Sequence, residues 1–238
     1  MKPSGVKAIL GYDIIEGISE EEEIPELEAA TESVSYDEII PLEEMEMLTD
    51  RFSGVKILED VANPFLPDFY SDRPGAAFQT ELYFLLSRYK QQQQIAQPEL
   101  FDRFLVSDYT FPKNRIFAYL NLSDDELMLF DKLFTLLEPQ VPDPDLVLYL
   151  VADLDTCMGR IKKRQRDFER DMSEDYMSEL IDAYNHYFFH YSATPLLVVN
   201  TEDVDFARSS ADVDDLLRQI RSMGKGTQYY VPRGSVKT

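Results

Sequence analysis

Residues Leu146 to Val151 read LVLYLV, and the chain from Thr156 to Arg170 reads TCMGRIKKRQRDFER. The first stretch is an unbroken apolar run of strand length, which is typical of a strand buried on both faces of a parallel sheet. The second stretch predicts a helix from Thr156 to about Arg170. A buried strand followed by a helix is the repeating unit of an α/β fold.

Three further short apolar runs are separated by stretches of helical length: Val55–Leu58, Phe104–Val106 and Leu196–Val199. This alternation predicts one α/β domain whose strands form a parallel sheet. Sequence patterns predict the boundaries of two helices. The apolar residues at helical spacing from Ala76 to Tyr89 predict a helix that the polar run Gln91–Gln94 is expected to end. A capping box predicts a second helix, which is opened by Ser123 and Glu126 and reaches Leu137.

The first fifth of the chain differs in composition from the rest. No Lys or Arg occurs from Ala8 through Asp50, and this part contains the acidic tract Glu20–Glu23. Such a charge run is typical of a solvated or disordered segment. We therefore predict an acidic segment over residues 1–50, partly disordered, and a single α/β domain over residues 51–238.

Charge and cysteine usage exclude several classes of protein. The net charge of the 238 residues is -22, which disfavours a nucleic-acid polymer or an anionic membrane surface as a partner. No apolar stretch approaches the twenty residues of a membrane span. A single cysteine, Cys157, cannot form an intramolecular disulfide, so we expect a cytoplasmic protein. Cys157 has no partnered base in view and is interpreted as an ordinary small side chain.

The densest basic cluster runs from Arg160 to Arg166. In an acidic protein, guanidinium groups concentrated after a strand could bind an oligophosphate. The alternative is a solvated helix surface that pairs with Asp167 and Glu169. Composition alone leaves both interpretations open.

Two acidic residues follow predicted strands: Glu59 comes after Val55–Leu58, and Asp108 comes shortly after Phe104–Val106. The carboxyl ends of strands in an open α/β sheet meet at the edge where ligands bind. A carboxylate at that edge can accept a proton from a hydroxyl nucleophile. The alternative is that both carboxylates cap turns.

His186 and His190 lie four residues apart on an aromatic-rich helix predicted from Glu174 to Tyr191. This spacing could direct both imidazoles at one metal ion. The aromatic neighbours favour a packing helix instead, and no third ligand is in view. We therefore predict no metal site.

Several segments agree in order and spacing with one known family, and together they extend from Met47 to Pro232. They are Ile57-Leu58-Glu59-Asp60, Asn63-Pro64-Phe65, Phe69-Tyr70-Ser71-Asp72, Ala77-Phe78-Gln79-Thr80, Ser107-Asp108-Tyr109, Arg115-Ile116-Phe117-Ala118, Pro144 to Leu150, Arg164 to Glu169, Pro195 to Thr201 and Gly226 to Pro232. In these segments the chain resembles the deoxynucleoside kinases, and most closely their bacterial deoxyadenosine and deoxyguanosine kinase branch.

The resemblance implies a P-loop-kinase-like parallel sheet flanked by helices, with a helical arginine lid. It also implies transfer of the γ-phosphoryl group of ATP to the 5′-hydroxyl of a purine deoxynucleoside, with ATP and Mg²⁺ as cofactors. A homodimer is implied as well. By the same resemblance, Glu59 would be the general base, and Arg160, Arg164 and Arg166 would form the lid over the phosphates.

The resemblance further implies four substrate-binding residues. Gln79 would read the edge of the base, while Tyr70 and Glu169 would hold the sugar 3′-hydroxyl. Asp108 would lie near the 5′-hydroxyl. At this position the family often has an acidic residue followed by arginine, whereas this chain has Asp108 followed by Tyr109.

One family feature is missing. The family begins with a strand and the phosphate-binding loop G-x-x-x-x-G-K-[ST], and this sequence contains no such motif. Tyr12 to Ile18 resembles the strand and the first glycine, yet the acidic run from Ser19 to Glu23 follows and would oppose phosphates, which makes ATP a doubtful ligand. Three explanations stay open: a pseudo-kinase that binds a nucleoside and serves a regulatory or interaction role, a kinase whose start was replaced or mis-joined, or a divergent enzyme that binds phosphate with its arginines alone.

Overall fold

A six-stranded sheet forms the centre of the molecule. The computed structural model describes residues 7–11, 49, 55–58, 62–71, 73–95, 105–164, 173–204, 206 and 209–232. Within them the strands are β1 (Lys7–Gly11), β2 (Val55–Ile57), β3 (Leu105–Ser107), β4 (Leu146–Val151), β5 (Leu196–Asn200) and β6 (Thr227–Tyr230). Their order across the sheet is β2-β3-β1-β4-β5-β6.

Each pair of neighbouring strands is parallel, which confirms the predicted parallel α/β sheet. Since β1 lies between β3 and β4, the sheet includes a strand from the first 50 residues. The predicted division at residue 50 stays a prediction. The stretch from Tyr12 to Ile18, which resembles the first strand and glycine of the family, lies outside the described residues and follows β1.

Helices lie in the connections from β2 to β3, β3 to β4, β4 to β5 and β5 to β6, as crossovers between parallel strands require. In the described residues they are α1 (Leu66–Tyr70), α2 (Ala76–Ile95), α3 (Lys113–Asn121), α4 (Asp124–Leu137), α5 (Leu154–Arg164), α6 (Glu174–Phe189) and α7 (Ser210–Ser222), with a 3-10 turn at Glu138–Gln140. No helix in these ranges is long and apolar enough to cross a membrane.

The structure confirms the four predicted strands to within one residue, and it corrects three helix boundaries. α6 ends at Phe189, two residues before its predicted end at Tyr191. The glutamine run does not end α2, because glutamine is a good helix former and the helix continues to Ile95. α5 begins at Leu154, two residues before the predicted start. The predicted capping box opens α4: the Glu126 carboxylate accepts hydrogen bonds from the Ser123 backbone N–H at 3.1 Å and hydroxyl at 2.7 Å.

Two clusters of buried apolar side chains hold the helices in place. The larger one lies between the central strands and helices α3, α5, α6 and α7, with Leu148, Cys157 and Leu196 among its fully buried members. The smaller one joins α2, α3 and α4 around Phe130 and Phe134.

Two aromatic residues of α6, Tyr184 and Phe188, have the packing role that the sequence predicted, whereas Phe189 is exposed. Tyr184 and Phe188 are buried, and the Phe188 ring stacks on Tyr149 with 4.3 Å between ring centres. His186 and His190 are exposed, and His190 Nδ1 lies 2.8 Å from the His186 carbonyl oxygen. Among the described residues, no three His, Cys, Asp or Glu side chains are grouped as metal ligands.

Candidate functional site

The carboxyl ends of the strands meet at one edge of the sheet because neighbouring strands are parallel. At this edge β2 ends at Ile57, β3 at Ser107, β4 at Val151 and β5 at Asn200. Ligands of open α/β sheets bind in the crevice outside these ends. The polar residues that follow the strands therefore define the candidate site.

Asp108 lies on one side of this crevice. It follows β3 directly and is 3% exposed. Its backbone N–H donates a hydrogen bond to the carbonyl oxygen of Ile57 at 3.3 Å, which holds the ends of β2 and β3 together. Glu59 follows Ile57 by two residues and lies outside the described residues. The structure thus brings Asp108 beside the segment that leads into Glu59.

Arg160 lies on the other side of the crevice. Of the three predicted lid arginines, it is the one whose side chain is described. Its guanidinium group donates hydrogen bonds to Thr201 Oγ1 at 3.1 Å and to the Thr201 carbonyl oxygen at 2.8 Å. Because Thr201 follows β5, these bonds hold Arg160 at the carboxyl edge of the sheet.

The start of α5 is fixed to the same edge. The Asp153 carboxylate accepts a hydrogen bond from the Thr156 backbone N–H at 2.8 Å. Hydrogen bonds from the side chain and backbone of Thr156 lower the pKa of Asp153, and the charge of Arg160 acts in the same direction. One turn further along, burial raises the pKa of Cys157 to about 11, so its thiol is not a nucleophile at neutral pH.

The other predicted site residues are described in part or not at all. Gln79 lies in the first turn of α2 with an exposed side chain, and beside it the Thr80 hydroxyl is buried without a hydrogen-bond partner in the described part of the chain. The remaining four have side chains outside the described residues: Tyr70, Arg164, Arg166 and Glu169. The roles expected for these four stay predictions.

Sequence reasoning missed a group of buried polar side chains around the segment that leaves β3. The guanidinium group of Arg88, which is 2% exposed, donates a hydrogen bond to Asn114 Oδ1 and lies 4.9 Å from the centre of the Phe84 ring. Asn114 Nδ2 donates to the Phe111 carbonyl oxygen at 2.7 Å. Glu81, Gln92 and Lys113 are buried as well. Buried ionisable groups are costly, and they concentrate at functional sites.

One sequence signal could have found this group. Arg88 follows Leu85 by three residues and Phe84 by four, so it lies on the apolar face of the predicted helix. A charge on such a face indicates a buried polar contact. Its partner Asn114 gives no comparable signal, because it belongs to α3, which the sequence analysis did not predict.

Known proteins are similar to this chain in sequence and in fold. Residues 37–224 match the family model described as deoxynucleoside kinase. Deoxyguanosine kinase of Bacillus subtilis (strain 168) is 33% identical in an alignment of 188 positions, which covers 74% of this chain and 88% of that protein. Deoxyadenosine/deoxycytidine kinase of the same strain is 29% identical in an alignment of 184 positions, which covers 74% of this chain and 84% of the relative.

A solved structure shows the same architecture. Deoxyadenosine kinase from M. mycoides with bound dATP superimposes with a TM-score of 0.66 at 18% identity, and the match covers 90% of this chain and 100% of the other. This likeness confirms the expected P-loop-kinase-like α/β fold. Since the family model covers well over half of the sequence, the chain belongs to the deoxynucleoside kinase family.

Proposed function

We propose that this protein transfers the γ-phosphoryl group of ATP to the 5′-hydroxyl of a purine deoxynucleoside. The observation that carries the proposal is the carboxyl edge of the sheet, where Asp108 lies after β3 and Arg160 is bound to Thr201 after β5. These strands are three spacings apart, about 14 Å, which leaves room for a sugar and an oligophosphate. The similarity to a B. subtilis deoxyguanosine kinase supports a purine substrate.

Each proposed role follows from chemistry at that edge. Glu59 would accept the proton of the 5′-hydroxyl, and Asp108 would lie near that hydroxyl. Arg160, together with Arg164 and Arg166, would stabilise the charge that develops on the transferred group.

Substrate binding would depend on residues near the start of α2. Gln79, whose side chain is accessible, would read the edge of the base, and Tyr70 and Glu169 would hold the 3′-hydroxyl. The Thr80 hydroxyl has no hydrogen-bond partner among the described residues, and this supports a ligand or water at this place, because buried polar groups usually have a partner. We propose that the buried group around Arg88 forms the floor of the same pocket.

The side chains at this edge have the chemistry to bind ATP and Mg²⁺. Arg160 donates its described hydrogen bonds to neutral oxygens of Thr201, so its positive charge stays available for phosphate. Mg²⁺ is usually held by one or two carboxylates together with substrate phosphates. Asp108 and Glu59 could supply these carboxylates. When bound, Mg²⁺ would neutralise charge on the phosphates.

A second function is favoured by one observation: no G-x-x-x-x-G-K-[ST] motif follows β1, and no lysine occurs from Ala8 through Asp50. The protein could then bind a nucleoside without turnover and serve as a regulatory or interaction protein. Loss of a phosphate loop should slow phosphoryl transfer by several orders of magnitude, because the reaction depends on positioning and charge.

We further propose a cytoplasmic homodimer whose catalytic unit is the domain over residues 51–238 together with β1. One face of α4 exposes a stripe of apolar side chains, Leu129, Leu133 and Leu136. Their spacing of four and three residues places them on one side of the helix. Contiguous apolar surface of this kind marks interaction sites, and a second copy of the chain would cover it.

Calorimetric titration separates the two functions. The full-length protein is titrated with each of the four deoxynucleosides and then with ATP and Mg²⁺. A kinase should bind both a purine deoxynucleoside and ATP, whereas a nucleoside-binding protein should bind the deoxynucleoside alone. A protein that binds no deoxynucleoside would contradict both functions.

The pocket itself is tested by Gln79→Ala. Loss of the amide should weaken deoxynucleoside binding about tenfold, because hydrogen bonds to the base edge would be lost. Gln93→Ala is the matched control, since Gln93 is also exposed and lies about 21 Å further along α2. Equal affinity in Gln79→Ala and the wild type would overturn the pocket assignment.

A further inference from the structure

Four hydrogen bonds join Thr201 to Val151 and Arg160 at the carboxyl edge of the sheet. Thr201 is 2% exposed, and its backbone N–H donates to the Val151 carbonyl oxygen at 2.8 Å. Its hydroxyl donates to the same carbonyl at 3.1 Å and accepts from Arg160 at 3.1 Å. Its own carbonyl oxygen accepts a second bond from Arg160 at 2.8 Å. The residue thus links the ends of β4 and β5 to one arginine of α5.

We propose that Thr201 is a positioning residue, which holds the Arg160 guanidinium in a fixed orientation toward the phosphates of the donor nucleotide. The inference rests on the proposed function, because it assumes that Arg160 acts on phosphate. It adds a residue outside the predicted lid, and it assigns Arg160 to the fixed base of that lid.

The contacts of Arg160 explain why fixing it is useful. A guanidinium group carries five N–H donors in a rigid plane, and Thr201 occupies two of them with neutral oxygens. A carboxylate partner would neutralise the charge, whereas a hydroxyl and a carbonyl orient the group and leave its charge intact. A preoriented charge stabilises developing charge on a phosphoryl group without the cost of reorganisation.

The helix that carries Arg160 is also immobilised at its start. Asp153 caps its first turn, and the side chains of Cys157 and Ile161 on either side of Arg160 are buried in the core. The bonds to Thr201 add to this anchoring, because they hold the side chain of Arg160 while the packed helix holds its backbone.

The chemistry of Thr201 permits a clean test. Thr201→Val keeps the shape of the side chain and removes the hydroxyl, whereas Thr201→Ser keeps the hydroxyl. Neither change leaves the Val151 carbonyl without a partner, because the Thr201 backbone N–H still donates to it. Thr194→Val is the matched control, since Thr194 precedes the opposite end of β5. Thermal melting verifies that all variants fold.

The first measurement is independent of catalysis. Nitrogen-15 relaxation of the Arg160 side-chain N–H groups, assigned with Arg160→Lys, should show a rigid guanidinium in the wild type, Thr201→Ser and Thr194→Val. The same groups should be mobile in Thr201→Val. A guanidinium that is already mobile in the wild type, or one that stays rigid in Thr201→Val, would overturn the positioning role.

The second measurement is kcat/KM for ATP, or ATP affinity by calorimetry if turnover is absent. Thr201→Val should lower it about three- to tenfold, as expected for one lost hydrogen bond, and Thr201→Ser should restore it. In an Arg160→Ala background, Thr201→Val should have no further effect. Additive effects would contradict action through Arg160. A wild type without transfer or ATP binding would contradict the proposed function instead, while the relaxation result still decides the positioning role.

Discussion

Burial decides the chemistry of Cys157. The residue lies on the core-facing side of α5 and is fully buried, and burial raises the pKa of its thiol to about 11. The thiolate is the reactive form of cysteine, so at pH 8 only about one thiol in a thousand would be ionised. The interpretation of Cys157 as an ordinary packing side chain agrees with this environment.

This environment predicts that the Cys157 thiol of the native protein reacts slowly. At pH 8 the native protein should react with a disulfide reagent such as dithionitrobenzoate far more slowly than the unfolded chain, which should release one thiol equivalent at once in urea. Absorbance of the released thionitrobenzoate measures both rates. Rapid reaction of the native protein would show that α5 opens at Cys157, and would contradict the anchored helix start.

At the scale of elements, Gln91 explains why α2 continues beyond its predicted end. Its Nε2 donates a hydrogen bond to the Leu58 carbonyl oxygen, and its Oε1 accepts one from the hydroxyl of the buried Tyr109. The polar run was expected to end the helix because polarity is typical of loops. Helical periodicity could not show that the Gln91 amide forms hydrogen bonds with residues 33 and 18 positions away in the sequence.

Replacing Gln91 should therefore loosen the link between α2 and the ends of β2 and β3. Gln91→Leu should lower the free energy of unfolding by about 1–3 kcal/mol, because the buried Tyr109 hydroxyl loses its acceptor. Gln93→Leu removes an exposed hydrogen bond to the Gln140 carbonyl oxygen and should lower this free energy by only about 0.5 kcal/mol. Urea denaturation measures both values. Equal stabilities of the two variants would contradict the bridging role of Gln91.

At the scale of the whole molecule, the sequence predicted the parts of the fold whose burial is continuous. β4 is an unbroken apolar run that is buried along most of its length, so its prediction holds residue for residue. β6 was missed because Thr227 to Tyr229 are exposed and form no apolar run. α1 was missed because it has five residues, too few for a periodic pattern.

The candidate site was predictable only in part. Asp108 could be placed at the edge of the sheet, because it follows an apolar run directly. The contact between Arg160 and Thr201 joins residues 41 positions apart and depends on which strands are neighbours. Local spacing of residue types does not reveal which strands are neighbours, so no sequence pattern pointed to Thr201.

The proposed dimer makes a prediction about assembly. Leu133→Glu places a charge in the apolar stripe of α4, so it should convert the dimer to a monomer of 27.6 kDa. Thr135→Glu adds the same charge to an exposed position of α4 outside the stripe and should remain dimeric. Light scattering after gel filtration measures the mass. A monomeric wild type would contradict the dimer, and a dimeric Leu133→Glu would place the interface elsewhere.

Transfer of labelled γ-phosphate from ATP to each of the four deoxynucleosides tests the central claim most directly. We predict transfer to a purine deoxynucleoside that falls at least about a hundredfold in Glu59→Gln, because the general base is lost. The mutant also controls for a contaminating kinase, whose activity would persist in it. No transfer by the wild type, or equal transfer by both proteins, would contradict the assignment of this chain as an active deoxynucleoside kinase.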